Sequence, residues 1–332
     1  PAYVINAVYS TFPKIFPVKK ADYEYLKRNR HLDDFSISRD YFSYPGKNVD
    51  VPGKVMFEIG KELASFAASQ DRKVNENDAK IFDWIRDSLA DVPGFYEENG
   101  KVVFMHSSGI GMLVRDVPGN AVGIQIRSVE KPKKDVKRYI WLTSSFASGQ
   151  KGCRRGSGSG TPGGVIYAKT AGANQLCVTE GRFKAEAIAS TGNTAVYVSG
   201  VNTWSCITDY IDALMKDRPS KSIYMMFDSD MLGNTAVHDQ LKAFSEELEK
   251  SGYNPVVTLW KKSHGKGIDD IMDSVGSMYF GKYLRYMKFQ AFEHIYCQTL
   301  KNVPGPKDDS KEEKKKYVRK LQEAEEAALG LA

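Results

Sequence analysis

The spacing of apolar residues along the chain changes near residue 165. Over residues 1–100, apolar positions recur every three to four residues, most clearly in 55–69 and 75–92, as they do in amphipathic helices. The second of these stretches opens with Asn and Asp residues suited to a helix cap and ends before Pro93-Gly94. The first hundred residues are therefore predicted to be mainly helical.

Residues 101–164 carry a different pattern. The β-rich runs 110–116 and 121–128 flank Pro118-Gly119-Asn120, which predicts a hairpin. The loop at 146–164 is rich in glycine and serine and contains the pair Arg154-Arg155. An inert linker is one interpretation of this loop, and a phosphate-binding loop is the other.

From 165 to 275, apolar strands alternate with helices. The strands are predicted at 175–180, 194–200, 221–230 and 254–260, and a helical pattern follows each one. Four such units predict a parallel sheet covered by helices on both faces. Beyond them, 279–300 is predicted to be an amphipathic helix and 308–330 a charged, exposed helix.

The bulk composition narrows the class of protein. The 332 residues are 42% hydrophobic and 27% charged, which is typical of globular domains and is long enough for two of them. We expect no membrane association, because no apolar run approaches eighteen residues and the first residues lack a signal-peptide pattern. The four cysteines are far apart, which argues against a zinc ribbon or a disulfide framework and favours the cytoplasm.

Positive charge is concentrated in one segment. The net charge of the chain is +6, and the 29 residues from Arg127 to Arg155 contain nine basic and two acidic residues. Such a segment suits a phosphate backbone. A solvated basic loop is the alternative.

Three acidic residues follow predicted strands. Glu180 ends the first strand of the alternating region, and Asp228 and Asp230 end the third. Ligands of open parallel sheets bind beyond the carboxyl ends of the strands, and in an extended Asp-x-Asp segment both carboxylates lie on one side. Each acid alone is as compatible with a turn or a solvated loop. Together they favour a site for Mg²⁺ or Mn²⁺ acting on phosphates.

The segments VTEGRFKAEAIAS and FDSDMLGNTAVHDQL resemble the TOPRIM domain of bacterial primases, topoisomerases and some nucleases, and the pattern at 228–236 is closest to the primase version. The hairpin at 110–127 resembles the primase core segment that precedes TOPRIM. The stretch from 20 to 275 is similar to the primase-like domain of conjugative-element and phage replication proteins.

The resemblance implies an α/β fold, in which a TOPRIM parallel sheet flanked by helices is preceded by an α+β domain like the primase core. We expect a mainly helical region at 1–100, a basic hairpin and loop subdomain at 101–164, TOPRIM at 165–275 and C-terminal helices at 276–332. It also implies that Glu180, Asp228 and Asp230 bind the metal and catalyse, with Asp269 as a further ligand. The residues implied to guide template or nucleotide phosphates are Arg115, Arg127, Lys137, Arg138, Lys151, Arg154, Arg155 and Lys184.

The chain departs from the replicative primases at the metal site. Lys184 stands where they carry an Asp, and Gly267 and Asp269 stand where they carry two further acids. Asp270 either compensates or is a helix-start acid. Lys184 either replaces the charge of one metal or binds a phosphate, so two metals are expected rather than three.

The resemblance implies a primase-like nucleotidyltransferase that uses a single-stranded DNA template and nucleoside triphosphates in the replication of a mobile element or phage. The sequence carries neither a zinc module nor a P-loop, so a replicative helicase or a separate template-recognition module is expected as a partner. A TOPRIM nuclease and a non-catalytic nucleic-acid-binding accessory are the alternatives.

Overall fold

The computed structural model describes residues 2–128, 137–276 and 280–331. The chain forms two compact units, the first ending at Pro162 and the second beginning at Gly163. None of the described helices has both the length and the apolar character needed to cross a bilayer.

The first unit combines helices with two antiparallel sheets. Its helices are α1 (Ala2–Ser10), α2 (Phe12–Ile15), α3 (Lys20–Arg30), α4 (Asp34–Asp40), α5 (Val51–Ser69) and α6 (Glu76–Ser88). Its strands are β1 (Tyr41–Ser43), β2 (Phe95–Glu98), β3 (Lys101–Phe104), β4 (Ile110–Arg115), β5 (Ala121–Arg127), β6 (Tyr139–Trp141) and β7 (Cys153–Arg154). The sheet orders are β1-β4-β5-β6 and β3-β2-β7. Helix α6 is capped as predicted, because the side chain of Asn75 accepts hydrogen bonds from the backbone of residues 77 and 78.

The predicted hairpin of residues 110–127 is confirmed as β4 and β5, which pair antiparallel. The connecting turn is closed by Asp116, whose Oδ1 accepts a hydrogen bond from the backbone N–H of Asn120 at 2.7 Å. Gly119 has a φ of +93°, which a residue without a Cβ adopts at little cost. The buried face of the hairpin packs on an apolar core that includes Val8, Phe12, Phe42, Leu113 and Ile124.

The second unit is built on one six-stranded sheet. Its strands are β8 (Gly164–Ile166), β9 (Leu176–Glu180), β10 (Thr194–Val198), β11 (Ser222–Met226), β12 (Asn254–Leu259) and β13 (Arg285–Lys288). Its helices are α7 (Arg182–Ser190), α8 (Thr208–Met215), α9 (Thr235–Lys250), α10 (Ile268–Val275), α11 (Phe289–Asn302) and α12 (Lys311–Ala328).

The sheet order is β13-β12-β11-β9-β10-β8. The four inner strands are parallel to one another, and both edge strands run antiparallel to their neighbours. All five residues of β10 are buried, as expected for an inner strand covered on both faces. The predicted fold class, a parallel sheet with helices preceded by an α+β region, is confirmed.

One predicted element is wrong. Residues 279–300 were expected to form a single helix, but Arg285–Lys288 form β13, and the helix begins at Phe289. The first position of the predicted helix, Tyr279, lies outside the described residues. The backbone of Arg285–Lys288 pairs with β12 and so satisfies the open edge of the sheet. Pairing with a distant strand therefore outweighed the local helical periodicity.

Candidate metal-binding site

Glu180 and Asp228 lie at the carboxyl ends of neighbouring parallel strands. Strands β9 and β11 pair with Thr179 opposite Met226, and Thr179 Oγ1 donates a hydrogen bond to the Met226 carbonyl at 2.7 Å. This register puts Glu180 level with residue 227, one residue before Asp228. The topology therefore brings both acids to the rim of the sheet where ligands of α/β folds bind.

The turn after Glu180 requires glycine. Gly181 has φ +84° and ψ 149°, a region that residues with a Cβ rarely adopt. The next residue, Arg182, begins α7. The chain thus reverses directly after the acid, and Lys184 falls in the first turn of the helix.

Two ammonium groups contact Asp228. Lys184 Nζ lies 2.6 Å from Oδ1, and the side chains of Lys184 and Asp228 are 18% and 11% exposed. Lys266 Nζ lies 3.3 Å from Oδ2, and its side chain is 59% exposed. The chain itself therefore neutralises the negative charge of Asp228, through the largely buried Lys184 on one oxygen and the exposed Lys266 on the other.

The surrounding acids keep Lys184 charged. Burial lowers the pKa of the Lys184 ammonium, but the negative charges of Asp228, Asp269 and Glu180 raise it more, and the net shift is upward. All three acids therefore lie within electrostatic reach of one ammonium group.

The absence of a side chain at Gly267 makes room for this lysine. A Cβ at this position would lie 2.6 Å from Lys184 Cε and would overlap Asp269 Oδ1. The neighbouring Asp270 acts on the backbone, since its Oδ2 accepts hydrogen bonds from the N–H groups of Lys266 and Gly267 at 3.1 and 2.9 Å. Asp270 therefore caps α10, which is the helix-start role.

The extended Asp-x-Asp segment expected from the sequence is not found. Strand β11 ends at Met226, and Ser229–Met231 form a 3₁₀ turn in which the Met231 N–H donates to the Asp228 carbonyl at 2.9 Å. Because this turn has three residues per revolution, the period-two argument does not apply to Asp228 and Asp230. The side chain of Asp230 lies outside the part of the chain that the structure describes.

Hydrogen bonds fix the acidic loop against the segment after β12. The Ser229 N–H donates to the Lys266 carbonyl at 2.8 Å, and Ser229 Oγ donates to the Gly265 carbonyl at 3.1 Å. Trp260 Nε1 donates to the same Gly265 carbonyl at 3.0 Å. The loop that carries Asp228 is therefore tied to the segment that leads into α10, the helix of Asp269.

Helix α12 supports the far side of this loop. Gly233 has φ +77°, and a Cβ there would lie 2.6 Å from the Val318 carbonyl oxygen. Its N–H donates at 2.5 Å to Glu325 Oε2. Glu325 is only 1% exposed, and burial raises its pKa to about 7, although the Gly233 hydrogen bond opposes this shift.

The donor chemistry of the rim suits a hard divalent cation. Glu180, Asp228 and Asp269 offer carboxylate oxygens, the ligand atoms that Mg²⁺ prefers. Among the side chains that the structure describes, no three His, Cys, Asp or Glu converge as a ready metal cluster. The Lys184 ammonium already contacts Asp228, so the protein itself supplies part of the positive charge at this rim.

Three of the predicted phosphate-binding arginines make contacts within the fold. Arg115 Nε lies 2.6 Å from Asp40 Oδ1, and Arg155 Nη2 lies 2.6 Å from Asp91 Oδ2. Arg127 is 7% exposed, and its guanidinium lies 4.5 Å from the centre of the Tyr25 ring. All three side chains have partners within the fold, and Arg155 is the most exposed of them, at 39%.

The other predicted basic residues of the first unit are open to solvent, namely Lys137, Arg138, Lys151 and Arg154. Lys131, Lys133 and Lys134 of the same basic segment lie outside the described residues. The exposed group is therefore the better candidate for contact with a nucleic acid.

The sequence reasoning missed Lys266, Asp40, Asp91 and Glu325. The position of Lys266, directly before Gly267 in a loop after the fourth parallel strand, was the available signal for a cation near the site. The acidic partners of Arg115, Arg155 and Gly233 are 64 to 92 residues distant in sequence. No local pattern marks such pairs.

A family model matches part of the sequence, and solved structures match the fold along the whole chain. Residues 170–279 match a family model described as a domain of unknown function, DUF3854. No curated protein sequence matches the chain.

The solved structures that the chain resembles are primase catalytic domains. The E. coli primase catalytic core matches with a TM-score of 0.56 at 17% identity, over 100% of this chain and 98% of that one. The zinc-binding and RNA polymerase domains of Aquifex aeolicus primase match with 0.55 at 12% identity, over 100% and 72%. A DnaG primase catalytic domain bound to single-stranded DNA matches with 0.52 at 18% identity, over 85% and 78%. The chain is therefore similar in fold, along its whole length, to the catalytic core of DnaG primase.

Proposed function

We propose that the protein is a metal-dependent primase-like nucleotidyltransferase that acts on single-stranded DNA during replication of a mobile element or phage. The observation that carries the proposal is the placement of Glu180 and Asp228 at one rim of the parallel sheet, in a chain whose whole length resembles primase cores. Nucleoside triphosphates are the proposed substrates.

Mg²⁺ or Mn²⁺ is the proposed cofactor. Glu180, Asp228, Asp230 and Asp269 would hold it, and when bound it neutralises charge on the transferring phosphate and lowers the pKa of the attacking 3′-hydroxyl. Lys266, with its exposed ammonium beside Asp228, is placed to attract a triphosphate. The hydrogen bonds of Ser229 hold the acidic loop in position for the incoming groups.

Oligonucleotide synthesis tests the proposal. The purified protein, single-stranded templates of varied sequence and the four ribo- or deoxyribonucleoside triphosphates are incubated with Mg²⁺ or Mn²⁺. We expect extension products that require the metal and that fall at least about 100-fold in Asp228→Asn, the scale seen when a group acting on the transition state is removed. Asp217→Asn, an exposed acid of the same unit, is the matched control and is expected to retain activity.

A non-catalytic nucleic-acid-binding accessory is the second candidate, because two ammonium groups already neutralise Asp228. That role predicts salt-dependent DNA binding with no synthesis under any of these conditions, and binding unaffected by Asp228→Asn. Metal-dependent cutting without extension would instead identify a nuclease and overturn the proposal.

A further inference from the structure

Lys184 stands in a place that is unfavourable for a cation by itself. It lies in the first turn of α7, where no acidic residue of that turn compensates it and where the helix dipole repels positive charge. Its side chain is only 18% exposed, so water contributes little to the stability of the ammonium. The neighbouring acids must therefore supply most of that stability.

The contact with Asp228 is close. Lys184 Nζ lies 2.6 Å from Asp228 Oδ1, which is a direct ion-pair contact. Asp269 lies beside the same side chain, because one Cβ at position 267 would meet both Lys184 Cε and Asp269 Oδ1. The lysine therefore lies among the rim carboxylates, where a metal ion would bind.

The backbone around Gly267 accommodates this lysine. Any Cβ at 267 would lie 2.6 Å from Lys184 Cε, far inside van der Waals contact. A side chain at 267 would therefore require Lys184 and Asp269 to shift from their present positions. The two departures from the primase pattern are coupled by this steric relationship.

The direction of Lys184 argues against phosphate binding as its main role. Its ammonium is paired with Asp228 and largely buried, so an anion would have to compete with that carboxylate. Lys266, at 59% exposure, is the more accessible cation for a phosphate. Lys184 is turned inward, toward the acids.

We infer that the Lys184 ammonium takes the place of one divalent cation beside Asp228, in space that Gly267 leaves open. It follows that the protein binds one divalent ion fewer than it does after this lysine is neutralised. The inference rests on the proposed function only in taking the rim acids as the metal site.

Metal titration tests it without reference to activity. Mn²⁺ binding to the full chain is measured by calorimetry and by the electron paramagnetic resonance signal of free Mn²⁺. Lys184→Gln is expected to bind one more Mn²⁺ than the parent protein. The affinity of this additional site should be at least about tenfold higher in the variant than in the parent, because a unit positive charge within 4 Å is removed. Lys169→Gln is the matched control, since Lys169 is 22% exposed and lies 2.6 Å from Glu186; it is expected to bind Mn²⁺ as the parent does.

Two further variants keep the test decisive if Lys184→Gln does not fold. Lys184→Arg keeps the charge and is expected to gain no ion. Gly267→Ala keeps every charge but crowds both the lysine stem and Asp269 Oδ1, and it is expected to change Mn²⁺ binding. If neither Lys184→Gln nor Gly267→Ala binds Mn²⁺ differently from the parent, the inference is overturned, even if the parent synthesises oligonucleotides. A gain of Mn²⁺ in a protein that synthesises no oligonucleotide would instead support the inference and count against the proposed function.

Discussion

Asp40 Oδ1 lies 2.6 Å from Arg115 Nε, and the side chain of Asp40 has no solvent exposure. Its second oxygen accepts a hydrogen bond from Arg39 Nη2 at 2.7 Å. Loss of the carboxylate would leave the mostly buried Arg115 guanidinium without its acidic partner. We expect Asp40→Ala to lower the free energy of unfolding by about 3–5 kcal/mol, measured by urea denaturation.

The control for this change is Asp34→Ala, which removes an acid that is 71% exposed and pairs with Lys27. It is expected to leave the urea midpoint nearly unchanged, since exposed ion pairs stabilise little. Equal effects of the two changes would show that the buried pair has no special role in stability.

Glu325 predicts a pH dependence of stability. Its folded pKa is about 7, above the ordinary value of 4.5, because the carboxyl is buried. The folded protein therefore holds the proton more tightly than the unfolded chain, and this stabilisation is present below pH 4.5 and lost as pH rises through 7. Relative to Glu325→Gln, the parent should lose on the order of 2 kcal/mol of unfolding free energy between pH 5 and pH 8.

Urea denaturation of both proteins across this pH range measures the effect. Glu323→Gln, at an acid that is 60% exposed in the same helix, is the control and should follow the parent at every pH. Parallel pH profiles for the parent and Glu325→Gln would contradict the prediction.

Gly181→Ala is expected to destabilise the protein by about 1–3 kcal/mol, because φ +84° with ψ 149° is a region that alanine rarely adopts. The added strain also acts on the junction between Glu180 and α7, so oligonucleotide synthesis should fall by more than the unfolded fraction explains. Thermal unfolding and the synthesis assay report the two effects. Gly281→Ala, where a Cβ meets nothing and φ is ordinary, should change neither.

The basic residues should divide into two groups. Joint replacement of the exposed set by glutamine (Lys137, Arg138, Lys151 and Arg154) is expected to weaken single-stranded DNA binding with little change in stability. The logarithm of the binding constant falls linearly with the logarithm of the salt concentration. This slope should become shallower by about 0.7 for each phosphate that the variant no longer neutralises. Arg115→Gln, which breaks the buried pair with Asp40, should lower the thermal midpoint instead. Fluorescence anisotropy over a salt series and thermal unfolding measure these effects, and an unchanged salt slope in the fourfold variant would count against this surface.

The parallel sheet could be predicted from the sequence because its signal is local. Each inner strand is a short apolar run followed by a helical pattern, and the acid at its end is visible in the sequence, as at Glu180. The β4–β5 hairpin was likewise marked by its turn residues. Alternation of such units leaves few topologies, and the observed sheet is the expected one with antiparallel strands added at both edges.

The details of the candidate site depended on contacts between distant residues. The bend after Asp228 is set by backbone hydrogen bonds to the segment at 265–266, and the space at Gly267 is filled by a side chain from position 184. Strand β13 forms because an edge was free to pair, although its own residues also suit a helix. Such pairings depend on tertiary contacts, which the local periodicity of the sequence does not predict.

The contact between α12 and Gly233 determines where the chain can be truncated. A fragment that stops at 275, where the sequence alone would place the end of the domain, keeps every acid of the rim but loses both β13 and the helix that contacts the loop through Val318 and Glu325. If such a fragment were inactive, the cause would be the loss of the elements that hold the acidic loop in place, and not the loss of a catalytic residue. The minimal unit for biochemical work therefore extends to the last turn of α12.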